Sequence, residues 1–544
     1  MVHNHLVKTM PPPSNFNIYA LLLLSLVCVS LGQPVWSSSL SILASLGGFA
    51  LFWHASLRFP SKQRRFWVAF SWFTAVQVVQ LSWLSSTEYM GPLILVVFAL
   101  LCSAIGLQFA VLTLFVQRPL GVGRMLAIAG GFVWMEWSRL FLLTGFPWNP
   151  IGLSLSGEAS IQFASLFGVY GLSFWVILTN LAALRSLKLC IALAVLPYAF
   201  SAVHQLYWEH ATKPPRSFAV ALVQTSLRIE EKDYIPSQQA AFLSPVVQWE
   251  RILASLAAIS SIDAIVLPEA ALPWGQARCF YPLEQVKRAW GSAFGAASIS
   301  DFPPLQMPFA KQDPKGQWVV SNSFWAGALA THFNASVIIG LDASEGEAKY
   351  NAAFHFLPRA LQAIRYEKRS LVPIGEYIPL SGLPGVASLL AKHFGIEASF
   401  TPGHTPKIFQ AGLPMGVSIC SEETYGALLR ESRLAGAELF VNLTNDAWFP
   451  LTRLPAIHFQ HARLRAAENG APLIRACNTG MTGAIDRFGK EIQVLRSAAR
   501  GVLKLTLAVQ SHPTVYTLFG DALILFMSGI FILRKKLLEY ILLK

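Results

Sequence analysis

"GVSICSEETYG", residues 416–426, is a short apolar run that ends at Cys420 and passes at once into polar and acidic residues. A short apolar run of this kind, bounded by polar residues, is typical of a buried strand. Taken alone, the stretch leaves Cys420 open to two interpretations. Free cysteines are commonly small buried hydrophobic residues, but a thiol at the end of a strand is also a candidate nucleophile.

Similar runs surround this one in the second half of the chain. Helical patterns at 234–261 and 454–469 lie between several of them. Short apolar strands separated by helices predict a layered α/β domain with buried sheets, which we place at residues 208–512. The other predicted strands are FAVALVQTS (218–226), DAIVLPEAALP (263–273), ASVIIGLDAS (335–344), NAAFHFLPR (351–359), ELFVNLTND (438–446) and PLIRACNTG (472–480).

Composition indicates that the rest of the chain is embedded in a membrane. Hydrophobic residues make up 54% of the 544 residues and charged residues only 13%. A membrane-spanning helix needs about 20 apolar residues. The chain has eight segments of that kind, at 17–32, 40–57, 66–84, 92–116, 125–144, 161–184, 189–206 and 514–533. We therefore predict a domain of seven spans at 1–207, with the first span retained rather than cleaved, and an eighth span with a basic tail at 513–544.

The net charge of +13 reports membrane topology rather than nucleic-acid binding. Alternate connections between the predicted spans carry basic residues, and the connections at 33–39, 85–91 and 145–160 carry none. By the positive-inside rule, both termini are cytoplasmic and the α/β domain lies outside, in the periplasm of a Gram-negative inner membrane. The basic residues are Lys8, Arg58, Lys62, Arg64, Arg65, Arg118, Arg124, Arg185, Lys188, Arg534, Lys535, Lys536 and Lys544.

Three strand ends of the α/β domain carry the residue types that acyl transfer on a thiol needs. The reaction requires a thiolate, a base, and positive charge where an oxyanion forms. Glu269 ends "IVLPE", Lys368 stands in "YEKRSLVPIGEYIPL" with Glu376 eight residues later, and Cys420 ends "GVSIC". Catalytic groups of α/β folds commonly lie at the carboxyl ends of strands, so the placement is coherent.

The three contexts together resemble the nitrilase, or carbon–nitrogen hydrolase, superfamily, in which Glu, Lys and Cys occur in this order. Nearly the whole chain is similar to the apolipoprotein N-acyltransferase family. The resemblance implies an αββα sandwich outside a helical bundle of about eight spans. The motifs that carry it are WMEWSRLFLLTGFPW (134–148), SLFGVYGLSFWV (165–176), KRSLVPIGEYIPL (368–380), NDAWF (445–449) and RAAENGAPLIRACNTG (465–480).

This resemblance also implies residue roles. Glu269 corresponds to the general base, Lys368 to the oxyanion stabiliser and Cys420 to the nucleophile, with Glu376 and Glu422 in support. Two positions depart from the family pattern: Ser421 stands where tyrosine is usual, and Cys477 where threonine is expected. Neither departure removes a triad member.

The implied reaction moves a fatty acyl chain from the sn-1 position of a phospholipid, with phosphatidylethanolamine as the expected donor, through a Cys420 thioester. The acceptor is the α-amine of the N-terminal diacylglyceryl-cysteine of an apolipoprotein. We expect no metal, no cofactor, no nucleic acid partner and a monomeric protein. Two other interpretations remain. One is a membrane-tethered amidase that uses the same triad with water as acceptor. The other is a transporter or scaffold whose outer domain is catalytically silent.

Two tryptophans and one apolar loop are candidates for contact with lipid. Trp148 and Trp448 either line the entrance for the acyl chain or headgroup, or are ordinary interfacial tryptophans. The stretch at 379–395 is either a core helix with its turn or a loop that covers a lipid substrate.

Two further pairs of polar residues have simpler explanations. His458 and His461 lie on a predicted helix, and we interpret them as structural because no acidic residue is suitably spaced to form a metal site with them. Glu136 and Arg139 lie in the fifth predicted span, and we expect them to form an internal ion pair because charges are costly in lipid.

Overall fold

The structure is a computed structural model that describes residues 15–142, 145–211, 214–379, 383, 385, 388 and 399–542. Most of the apolar stretch predicted at 379–395 therefore lies outside the described residues.

The described residues up to 211 are mostly helical. Their shared core is strongly aromatic, with Phe52 stacked on Trp72 and Phe73 on Phe109. The helices are Asn15–Ser30, Ser38–Leu43, Phe49–Ser56, Lys62–Gln80, Leu93–Thr113, Val122–Ser138, Ala164–Arg185 and Leu187–Ala211, with a π-helical turn at Ala44–Gly48.

Among the described residues, four helices are long and apolar enough to cross a membrane: Ser38–Ser56, Leu93–Thr113, Ile161–Arg185 and Leu187–Ala211. Two shorter apolar helices, Asn17–Ser30 and Ala522–Arg534, match the first and last predicted spans. Helices also form at the two remaining predicted positions, as Lys62–Gln80 and Val122–Ser138, but neither meets the length and hydropathy of a spanning helix. The eight-span count therefore stays a prediction.

Buried polar side chains explain part of that lower hydropathy. Asn149 donates through Nδ2 to Gln77 Oε1 at 2.7 Å and to Gln80 Oε1 at 2.9 Å. Glu136 Oε1 accepts the backbone N–H of Ile151 at 2.7 Å. Arg139 Nε donates instead to Gln108 Oε1 at 2.8 Å. Glu136 and Arg139, both described, therefore have separate hydrogen-bond partners in place of the expected ion pair.

The described part of the α/β domain has fifteen strands. They are β1 Arg216–Gln224, β2 Ala264–Val266, β3 Tyr281–Pro282, β4 Ala310–Gln312, β5 Trp318–Val320, β6 Ser336–Glu345, β7 Ala348–Phe356, β8 Ile364–Glu367, β9 Ile408–Gln410, β10 Pro414–Ile419, β11 Leu439–Thr444, β12 Leu473–Cys477, β13 Thr482–Ile485, β14 Glu491–Leu495 and β15 Gly501–Val509.

Twelve of these strands form two six-stranded sheets. The first has the order β15-β1-β2-β6-β7-β8, and the second β14-β13-β12-β11-β10-β9. Each has three parallel strands at its centre, β1-β2-β6 and β10-β11-β12, extended by antiparallel strands. Strands β3, β5 and β4 form a separate small sheet.

The two large sheets face each other across a buried apolar layer, to which Leu222 and Val266 contribute from one sheet and Ile419 and Val441 from the other. Helices Pro245–Leu256, Leu283–Phe294 and Asn322–Phe333 cover the outer face of the first sheet. Helices Gly426–Leu434 and Leu454–Asn469 cover the second. All seven predicted strands form, and the predicted α/β sandwich with helices on both faces is confirmed for this domain.

The Leu454–Asn469 helix also joins the sandwich to the first part of the chain. Glu468 Oε1 accepts the backbone N–H of Val169 at 2.8 Å, next to Gly168, whose φ of 65° breaks the regularity of the Ala164–Arg185 helix. A Cβ on Gly168 would lie 2.4 Å from the ring of Tyr516. Glycine at this position therefore provides both the positive φ and the space for that ring.

The chain then returns to the helices of its first part. Helix Val515–Phe519 follows the sandwich, and helix Ala522–Leu542 packs against Val122–Ser138. Gly130 allows this approach, because a Cβ there would lie 2.9 Å from the carbonyl oxygen of Ser528. The first and last parts of the chain thus pack against each other.

Candidate active site

Glu269 lies in the turn that follows β2. The backbone of Ala271 donates to Gly340 O at 2.8 Å, and that of Gly340 donates to Pro268 O at 3.0 Å. A Cβ at Gly340 would lie 2.6 Å from the Cα of Glu269. The neighbouring strand therefore holds the Glu269 turn tightly, and only glycine fits beside it.

Lys368 follows the last residue of β8 and is 1% exposed. Its Nζ lies 3.0 Å from Glu269 Oε1 and 2.8 Å from Glu376 Oε1. Burial acts to lower the pKa of Lys368, but the two carboxylates outweigh burial and hold that pKa well above its ordinary value. The structure thus places a charged ammonium between two of the predicted carboxylates.

Asn351, in β7, is a member of this site that the sequence analysis did not identify. Its Nδ2 donates to Glu269 Oε1 at 2.7 Å and to Glu376 Oε1 at 2.7 Å. The same two oxygens contact Lys368, so the amide and the ammonium together fix both carboxylates. The stretch "NAAFHF" predicted a strand, but an asparagine at its start carries no local sign of such contacts.

Cys420 directly follows β10 and begins a 3₁₀ turn that runs to Thr424. Its φ of 52° is left-handed, a conformation that costs a residue with a Cβ about 1–2 kcal/mol. Burial, followed by the Glu269 carboxylate, raises the pKa of the Cys420 thiol well above its ordinary value, and Lys368 opposes that rise. The free enzyme therefore holds a thiol rather than a thiolate, beside a carboxylate that can take its proton.

Glu422 connects the cysteine turn to the lysine loop. One carboxylate oxygen accepts backbone N–H groups of Arg369 at 2.5 Å and Ser370 at 3.2 Å. The other accepts the backbone N–H of Ile419 at 2.8 Å and the hydroxyl of Tyr366 at 2.8 Å. Because Glu422 is fully buried, these four bonds fix Cys420 relative to Lys368.

The two candidate tryptophans have different surroundings. Trp448 is 41% exposed and lines a cavity of about 720 Å³ together with Tyr89, which belongs to the first part of the chain. The cavity borders Ile374 and Gly375, next to Glu376. Trp148 is instead packed among Trp83, Leu454 and Ile457, which favours a structural role.

The structure thus brings the predicted Glu269, Lys368, Cys420 and Glu376 to one site, with Glu422 behind it. All six cysteines, each within the described residues, are free thiols. The cavity beside the site lies between the sandwich and the loop that contains Tyr89. Such a site can form and hold a thioester next to the helical part of the chain.

Comparison with known proteins identifies the family. The model of the apolipoprotein N-acyltransferase N-terminal domain matches residues 25–182, and that of carbon-nitrogen hydrolase matches residues 219–536. An apolipoprotein N-acyltransferase of Chlamydia pneumoniae is 33% identical over 525 residues, which cover 91% of this chain and 92% of the relative. One from Chlamydia caviae is 33% identical over 540 residues, covering 93% and 95%.

A solved structure of a CN-hydrolase superfamily protein from Xanthomonas campestris also aligns with the chain. The alignment covers 54% of this chain and 91% of the Xanthomonas protein, at 13% identity and a TM-score of 0.34. The two family models and the identity over nine-tenths of each chain lead to one conclusion: the chain belongs to the apolipoprotein N-acyltransferase family and carries its carbon-nitrogen hydrolase domain.

Proposed function

We propose that Cys420 carries the acyl group in a two-step transfer from a phospholipid to the N-terminal amine of a diacylated apolipoprotein. The observation that carries this proposal is the buried Lys368 ammonium, which lies 3.0 Å from Glu269 and 2.8 Å from Glu376. Its charge acts to lower the pKa of the Cys420 thiol, against the effect of burial. The relatives' name, apolipoprotein N-acyltransferase, supports the choice of substrates.

In the first step, the Glu269 carboxylate takes the thiol proton, and the sulfur of Cys420 attacks the sn-1 ester carbonyl carbon. The carbonyl oxygen becomes an oxyanion, which the Lys368 ammonium stabilises. A single donor at such a position typically contributes about 3–4 kcal/mol to the transition state. The bond from the acyl carbon to the glycerol oxygen then breaks, and Glu269 returns the proton to that oxygen. The products are a thioester and a lysophospholipid.

In the second step, the α-amine of the diacylglyceryl-cysteine attacks the thioester carbonyl carbon. Glu269 takes the amine proton, the carbon–sulfur bond breaks, and the proton returns to the sulfur. The new bond is an amide, and Cys420 is again a thiol. A thioester is more reactive toward an amine than the original oxygen ester, so the transfer needs no further energy source.

We infer a location that follows from the charges of the predicted loops. The protein spans the inner membrane, both termini are cytoplasmic, and the sandwich is periplasmic. Both substrates are anchored in the membrane, and the cavity near Trp448 lies between Tyr89 and the loop of Glu376. This position suits the reacting groups of lipids whose chains remain in the bilayer. We propose phosphatidylethanolamine as the donor and a monomer as the working unit.

Intact mass spectrometry of the purified full-length protein tests the first step. The protein is incubated with vesicles of phosphatidylethanolamine, with Cys420→Ala as the matched variant. We expect a fatty-acyl mass increment on the wild type that hydroxylamine removes and that the variant lacks. Adding a diacylated lipopeptide should discharge the increment and yield a triacylated peptide.

Other outcomes would contradict the proposal. An increment on Cys420→Ala would place the acyl group elsewhere. No increment, together with steady ammonia release from small amides, would indicate a membrane-tethered amidase. Neither signal from a folded protein would indicate a catalytically silent outer domain.

A further inference from the structure

Four buried ionisable side chains lie behind Cys420 and take no part in the reaction described above. They are Glu423, Asp446, His458 and Arg475, each with a side chain at most 1% exposed. Arg475 lies 3.4 Å from Glu423 Oε1 and 3.2 Å from Asp446 Oδ2. Buried charges of this kind are costly unless they are paired and hydrogen-bonded, so the contacts within the cluster are what stabilises its charges.

His458 connects this cluster to the nucleophile. Its Nε2 lies 3.2 Å from the backbone carbonyl oxygen of Cys420 and 3.1 Å from Glu423 Oε1. A carbonyl oxygen can only accept a hydrogen bond, so Nε2 must carry a proton to donate. The ring is fixed on its other side, where Nδ1 lies 2.9 Å from Asp446 Oδ1 and 2.8 Å from Arg475 Nη2.

The carbonyl that His458 contacts belongs to a residue in an unfavourable conformation. Cys420 has a φ of 52°, which persists only where surrounding contacts hold it. The described residues supply two such contacts at its carbonyl: Nε2 of His458 and, at 3.2 Å, Nδ2 of Asn442. The φ of Cys420 determines where its side chain points, because Cβ is bonded to the same Cα.

We propose that His458 is a positioning residue, whose Nε2–H holds the Cys420 carbonyl and thereby directs the thiol toward Glu269 and Lys368. The residue does not touch the substrate. This inference rests on the proposed role of Cys420 as the acyl carrier.

The first part of the chain also contributes to this arrangement. The ring of Trp148 packs edge-on against His458, with centroids 5.0 Å apart. The carbonyl oxygen of Trp148 lies 3.1 Å from Nε2 of His461, one turn further along the same helix. Contact with the Trp148 segment thus supports the ring that holds the nucleophile.

Two substitutions at one position separate the two sides of the ring. In His458→Gln, the amide nitrogen can reach the place of Nε2 and donate to the Cys420 carbonyl. In His458→Asn, the shorter amide can replace only Nδ1 and leaves the carbonyl without this donor. Loss of a hydrogen bond of this kind should slow acyl-enzyme formation by about tenfold to a hundredfold in His458→Asn. The Gln variant should retain most of the rate.

Two readouts separate positioning from folding and from the proposed function. Acyl-enzyme formation is followed by intact mass with phosphatidylethanolamine vesicles, and the phospholipid dependence should be unchanged in His458→Asn. The rate of Cys420 alkylation by iodoacetamide measures the reactivity of the thiol without any acyl transfer. This rate should rank wild type, His458→Gln and His458→Asn in the same order as the acylation rate does. His461→Asn, the same buried substitution three residues further along, is the control, and its effect on both rates should be smaller than that of His458→Asn.

Equal rates for His458→Asn and His458→Gln in both assays, or an equal loss in His461→Asn, would overturn the proposal. If the wild type forms no thioester but alkylation still separates the two variants, the proposed function fails and the positioning role stands. Should His458→Asn not fold, Asp446→Asn provides the test, because it weakens the hold on Nδ1. Wild-type rates in both assays for that variant would also overturn the proposal.

Discussion

Replacing Glu376 by glutamine tests whether the second carboxylate at Lys368 matters for catalysis. Glu376 Oε1 accepts from Lys368 Nζ at 2.8 Å and from Asn351 Nδ2 at 2.7 Å, and Oε2 accepts the backbone N–H of Val372 at 2.8 Å. Glutamine preserves the shape of the side chain but has only one oxygen. All three partners donate, so at least one of them must face an NH₂ group.

The expected decrease in rate follows from the lower-energy orientation of the glutamine amide in Glu376→Gln. With its oxygen toward Lys368 and Asn351, glutamine loses only the bond from Val372 and places two donors against each other. A buried donor without its acceptor costs about 1–3 kcal/mol, which corresponds to a decrease of about five- to 150-fold in rate if it displaces the ammonium from the transition state. One carboxylate that raises the pKa of Lys368 is also removed, so that pKa must fall.

Single-turnover acyl-enzyme formation, measured by intact mass across a range of pH, is the assay. We expect Glu376→Gln to slow acylation by about five- to 150-fold. The dependence of the rate on phospholipid concentration should be unchanged. The alkaline limb of the profile should move to lower pH, because Lys368 must remain charged to stabilise the oxyanion. Glu367→Gln is the control: Glu367 directly precedes Lys368 but pairs with Arg365 at 2.6 Å.

Two results would refute this reasoning. Acylation at the wild-type rate would show that Glu269 alone holds Lys368 in place. An equal loss in Glu367→Gln would show that the effect comes from general loss of charge near the strand end.

Three further predictions concern other buried groups. Asn351→Asp should reduce acylation more than Asn351→Ser, because aspartate places a third carboxylate against Glu269 and Glu376; the two initial rates check this. Glu422→Gln should lower both the thermal unfolding midpoint and the acylation rate, since a buried amide cannot accept all four hydrogen bonds. The expected loss in the free energy of unfolding is about 2–4 kcal/mol. Burial raises the pKa of Glu468 from 4.5 to about 7, so the stability it contributes is fully present below about pH 4.5 and is lost as the pH rises through about 7. Glu468→Gln should remove that decline, on the order of 3 kcal/mol, from thermal unfolding curves recorded between about pH 4 and pH 8.

Local pattern was sufficient for the central strands, and it singled out Glu269, Lys368 and Cys420, which the structure brings close to one another. The strands that precede Glu269 and Cys420 are apolar because both faces of their sheets are covered. The outer strand β15 was not predicted: its residues alternate between buried and exposed, and the run is less apolar. Strand β14, whose residues are largely exposed, was also not predicted. The number of spans could not be decided by counting apolar segments, because Lys62–Gln80 carries buried glutamines that bond to Asn149.

The sequence by itself determined the chemistry available to this protein: a cysteine and a glutamate at the ends of apolar runs, and a lysine in KRSLVPIGEYIPL, in a chain rich in apolar segments. Only the tertiary structure decided how these groups are held. Asn351 bridges two carboxylates that are 107 positions apart in the chain, and His458 reaches the Cys420 carbonyl from a helix 38 positions further along the chain. Such contacts depend on which strand ends meet in space. Strand order and sheet packing set that arrangement, and local residue patterns do not encode it.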